Sequence, residues 1–125
     1  MTSDAATAQI VQIAKDYIEL VRHIDPTWRR AWLRCQVDVG FAEAKGSYAN
    51  ASTVELIDVI GHKAFFHPVS PHARTLLLEL GHTRGVLLLT VDRDFDYNID
   101  FEYENLSRWR IGKLCGGDGI PTGLQ

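Results

Sequence analysis

Residues 92–104, DRDFDYNIDFEYE, constrain the fold of this chain more than any other segment. Tyr97, Ile99, Phe101 and Tyr103 share one parity, while Asp96, Asn98, Asp100, Glu102 and Glu104 share the other. Successive side chains of a β-strand point to opposite faces, so the alternation predicts a strand with an aromatic inner face and an acidic outer face. Like charges spaced two apart repel and add little to local stability, so such a stripe is expected to meet something positive. Six acids (Asp92, Asp94, Asp96, Asp100, Glu102, Glu104) against Arg93 give this segment −5 within a chain of net charge −3, so the remainder carries +2. The acidity is therefore local and reads as a directed surface. It also argues against direct nucleic-acid binding, because phosphates would be repelled there.

The other elements follow from periodicity. Ile10, Ile13, Ala14, Tyr17, Ile18, Val21 and Ile24 form a helical stripe over residues 4–24, with Thr2 or Ser3 as the expected cap and Pro26 as the stop. Leu33, Cys35, Val37, Val39 and Phe41 alternate with Trp32, Arg34, Gln36 and Asp38, which predicts a half-buried strand followed by a bend at Gly40. Residues 41–49 read as a second strand, weakened by Gly46. Residues 53–60 fit a short helix by capping-box spacing or a strand by β-branching, and the strand is favoured. Ser70 and Pro71 predict the start of a second helix whose buried face is Ala73, Leu76, Leu77 and Leu80, with Gly81 as C-cap. Residues 86–91 and 96–104 then form a hairpin. This order predicts an α+β fold: a mostly antiparallel sheet of about five strands with two helices packed on one face. Residues 1–106 read as a single domain, and the Gly-rich residues 107–125 as a partly ordered tail or short edge piece.

Size and composition place the chain among single globular domains able to form a core without metal or disulfides. The longest apolar runs are too short to span a membrane, and the polar, acidic N-terminus does not read as a signal peptide. Cys35 and Cys115 read as two free thiols of a cytoplasmic protein.

Catalytic and metal-binding patterns fare poorly. Asp92, Asp94 and Asp96 match the first ligand positions of a calcium loop, but Tyr97 stands where that loop requires Gly and Tyr103 where it requires Glu. His62, His67 and His72 are spaced by five and do not share a helix face, and His82 lies beyond them. The carboxylates of residues 92–104 lie on a polar parity, where solvent keeps them ionised and unsuited to acid–base catalysis. No G-x-S-x-G, P-loop or Gly-rich strand-to-helix turn occurs. No catalytic residue, cofactor or metal is therefore expected. Trp28 and Trp109 read as packing residues, whereas Trp32 lies on the polar parity of its strand and is expected to anchor an interface.

The layout is familiar. A helix leads to Asp25-Pro-Thr-Trp28; Gly40-Phe-Ala-Glu and Ser47-Tyr-Ala mark two strands; a Leu-rich helix precedes a hairpin closing on Phe95-Asp-Tyr-Asn-Ile-Asp-Phe-Glu-Tyr103. The chain resembles the YezG-like family of bacterial immunity proteins, antitoxins to secreted polymorphic toxins. The resemblance implies a cytoplasmic, non-catalytic inhibitor that neutralises a cognate toxin domain, often a nuclease, by binding it. A basic nuclease surface suits the acidic strand, and the expected contact residues are Asp92, Asp94, Asp96, Asn98, Asp100, Glu102, Glu104 and Trp32. Reversing Asp100 and Glu102 to Lys should then weaken partner binding without unfolding the domain. Two other readings stand beside this one: a secretion chaperone or adaptor for an effector, and a small ligand-binding or enzymatic α+β domain. Neither the identity of the toxin nor the oligomeric state follows from the sequence.

Overall fold

The structure, a computed structural model, describes residues 4–113 and 118–123. The elements run α1 (Asp4–Ile24), β1 (Arg30–Asp38), β2 (Phe41–Ala49), β3 (Val54–Leu56), a 3₁₀ turn (Ile60–His62), α2 (Lys63–Glu79), β4 (Gly85–Asp92) and β5 (Tyr97–Glu102). The strands form one antiparallel sheet in the order β3-β2-β1-β4-β5. Both helices pack on the same face, so the fold is α+β as expected. Their apolar stripes meet Leu33, Cys35, Val37, Leu87, Leu89 and Val91 in the main core. No described helix is long and apolar enough to cross a membrane.

Local chemistry explains the connections. After α1, Asp25 Oδ1 accepts bonds from the Thr27 amide (2.8 Å) and hydroxyl (2.6 Å), turning the chain toward buried Trp28. The expected caps Thr2 and Ser3 lie outside the described residues. Val39 and Gly40 form the tight β1–β2 turn, with Gly40 at φ +69°, where an L side chain is disfavoured. Asn50 Oδ1 accepts from the amides of Ser52 and Thr53, both at 2.8 Å, and so builds the β2–β3 turn.

Three features depart from the sequence reading. First, only Val54–Leu56 of residues 53–60 is strand; Asp58 then accepts from the Ile60 amide (3.1 Å) and opens the 3₁₀ turn. Second, α2 begins at Lys63, well before Ser70, and both Pro68 and Pro71 lie within it. Each proline removes one backbone bond, but both face solvent. Phe66 and Val69 extend the buried stripe of Ala73, Leu76 and Leu77 upstream, and this burial outweighs the lost bonds. The far end follows expectation. Gly81 (φ +88°) donates to Leu78 O (3.0 Å) and His82 to Leu77 O (2.8 Å), which is a Schellman cap.

The third departure concerns the outer face. β1 is buried on both sides, not half-buried: Trp32 is 5% exposed and Arg34 3%. The described part of the tail crosses the sheet there instead of lying loose or at an edge. Trp109 and Ile111 pack with Trp32, Val86 and Leu88 in a second apolar cluster. Arg34 fastens the crossing, donating through Nε to Arg108 O (2.8 Å) and through Nη2 to Leu106 O (2.6 Å). Bonds from a charged guanidinium are worth more than neutral ones. Burial lowers the Arg34 pKa, and Glu43, 3.8 Å away, opposes that shift.

Candidate protein-binding surface

The acidic segment folds as the expected hairpin, with β5 at the sheet edge. Its loop is set by Asp92. The Phe95 amide donates to Asp92 O (2.9 Å), and the Asp92 amide to Asp96 O (3.0 Å). The Asp92 carboxylate turns inward and accepts from the amides of Asp94 (2.9 Å) and Asp96 (3.3 Å). Asp92 therefore builds the loop and does not reach outward as expected. Phe95 closes the turn at φ +69°, a conformation in which Gly or Asn is usual. The residue is 59% exposed, with the Arg22 guanidinium 5.8 Å from the centre of its ring.

Along β5 the outer parity carries Asn98, Asp100 and Glu102, with Asp96 just before the strand, as the alternation predicts. These residues differ in what they can offer a partner. Asp94, Asp96 and Glu104 are exposed, and no hydrogen bond or ion pair to their carboxylates appears among the described residues. Asn98 Nδ2 donates to Asp100 Oδ2 (2.9 Å), and both residues are exposed. Glu102 is different. Its carboxylate accepts from Arg108 Nη1 (2.8 Å) and from the amides of Glu104 and Asn105, each at 3.1 Å. The Arg108 hydrogen bond, followed by the two amide bonds, holds the Glu102 pKa down at about 2. Glu102 is thus already satisfied within the molecule, unlike the other acids of the row, which the sequence reading groups with it.

Trp32 is also corrected. The tail covers it, so its ring cannot anchor an interface in this arrangement. Its Nε1–H is buried without an acceptor among the described residues. Trp32 also lines an outer groove with Arg30, Asp96, Asn98, Asp100 and Ile120. Trp109 reads as a packing residue, but where it packs is not legible, because Trp109 and Ile111 lie in a Gly-rich stretch without periodicity.

The remaining candidates are dispersed. His62 Nδ1 bonds with Asp58 O (2.9 Å), His67 and His72 are exposed on α2, and His82 stacks on Tyr103 with ring centres 3.5 Å apart. An open groove between α1 and α2 is bordered by His23, His62, His72, Asp16 and Glu19. No three His, Cys, Asp or Glu side chains gather as a metal-binding group among the described residues. Cys35 is a buried free thiol whose pKa burial pushes up to about 12, which makes it a poor nucleophile. Cys115 lies outside the described residues. Neither a scan against protein-family models nor a search of curated proteins finds a match to this chain.

Proposed function

We propose that the protein is an immunity protein that binds and neutralises a basic toxin domain through the outer flank of the β4–β5 hairpin. The observation that carries this reading is the row Asp94, Asp96, Asp100 and Glu104: exposed acids without a basic partner of their own among the described residues. Keeping such charges together costs self-repulsion, which a cationic surface would relieve. Nucleases hold phosphates with basic side chains, so a nuclease domain is the favoured target. Complementary charge would speed encounter, and desolvated contacts at the centre of the interface would supply most of the affinity. The exposed ring of Phe95 at the hairpin tip offers one such contact.

The test is inhibition. A basic toxin domain identified as the partner, sought first in the neighbouring reading frame, is purified and assayed with and without this protein, and stoichiometric loss of toxin activity is the expected result. Binding without inhibition would replace this reading with that of a secretion adaptor. If neither is seen and a small molecule saturates the α1–α2 groove, the ligand-binding reading takes its place.

A further inference from the structure

We propose that β5 accepts an extended segment of the partner as a sixth strand, and that this segment alternates basic and apolar side chains. The inference deepens the hairpin-binding reading above and rests on it.

The backbone supplies the first argument. Among the described strands only β3 and β5 lie at an edge, and β3 spans three residues against six for β5. The bond from the Asp92 amide to Asp96 O marks that pair as a hydrogen-bonded one. The same register pairs Thr90 with Asn98 and Leu88 with Asp100. Antiparallel pairing alternates, so the N–H and C=O groups of Tyr97, Ile99 and Phe101 point away from β4. No described element pairs with that side. An unpaired row of this kind is a template for another strand.

The two flanks of β5 supply the second argument. On the helix side, a groove between α1 and the hairpin is bordered by Val11, Ala14, Ile18, Phe95 and Tyr97, with Lys15, Glu19 and Arg22 also on its lining. On the other side stand Asp96 and Asp100. A strand added to β5 would present alternate side chains to these two environments, so apolar residues suit one parity and Lys or Arg the other. The same chemistry disfavours a second copy of this chain as the occupant. Pairing β5 with itself would set one acidic row beside another without a basic residue in either strand.

The test uses a lysine–valine alternating peptide long enough to span β5, its glutamate–valine counterpart, and the lysine peptide N-methylated at alternate residues. Amide hydrogen exchange of the full-length protein is followed by NMR. The lysine peptide is expected to slow exchange at Tyr97, Ile99 and Phe101 roughly tenfold or more, with neither control doing so. Asp96→Lys with Asp100→Lys should weaken the lysine peptide by about tenfold. The proposal is overturned if the lysine peptide leaves these amides unprotected, or if the glutamate peptide protects them equally. Protection that grows with protein concentration alone would overturn it in favour of a second copy. Peptide binding without toxin inhibition would remove the immunity reading and keep the strand acceptor; inhibition with β5 amides unprotected would do the reverse.

Discussion

Tyr17 and Gly46 show how one residue's absence of a side chain sets another's position. The Tyr17 hydroxyl reaches from α1 to the carbonyls of Trp32 and Ser47 at the centre of the sheet. A Cβ on Gly46 would stand 2.5 Å from that hydroxyl oxygen. Gly46 reads in the sequence as a weakness of β2, yet it makes room for a buried polar contact. Gly46→Ala should therefore destabilise the fold by roughly 1–3 kcal/mol through overpacking. Tyr17→Phe alone should cost about 1 kcal/mol for the lost hydrogen bond. Combining them should cost less than the sum, since removing the hydroxyl relieves the clash; urea unfolding of the four proteins measures this. Strict additivity would contradict the account. Nothing in a single sequence links residues 17 and 46, because the link depends on how α1 lies across the sheet.

Among the elements, the passage from β5 into the tail depends on Glu102 and Arg108. Glu102 titrates at about 2 in the folded protein against 4.5 ordinarily. Its folded pKa is depressed, so its contribution is complete above about pH 4.5 and is lost as pH falls toward 2. Arg108→Gln should lower stability above about pH 4.5, where the Glu102 contribution is complete, and flatten the acid limb, so that variant and wild type converge as pH falls toward 2. Urea unfolding across that pH range checks this, and an unchanged acid limb would contradict it. Of the elements, α1, β1, β2, β4, β5 and the end of α2 were legible, because apolar periodicity and Gly punctuation agree there. The start of α2 was hidden because Ser70 and Pro71 read as a cap and first helical position, whereas tertiary burial of Phe66 and Val69 carries the helix back to Lys63 with both Pro68 and Pro71 inside it. The tail was hidden because Trp109 and Ile111 have no neighbours in sequence to form a pattern, and the face they cover reads as polar.

On the scale of the whole molecule, two helices seal one side of the sheet and the tail covers the centre of the other. Of the two sheet edges, the longer one, at β5, is where the acidic residues concentrate. The acidic stripe was legible as a face, but its division of labour was not. Period two shows which side of a strand a carboxylate takes; it does not show that Asp92 folds back on its loop, or that Arg108 claims Glu102. Reversing Asp100 and Glu102 together would thus confound binding with stability, and Asp96 with Asp100 is the cleaner pair. The most direct measurement is the dissociation constant of the partner toxin for wild type and for the Asp96→Lys, Asp100→Lys double variant, at matched salt and with thermal melts alongside. A loss of roughly tenfold or more, shrinking as salt is raised, with an unchanged melting temperature, is the predicted result. Wild-type affinity in a folded double variant would contradict it.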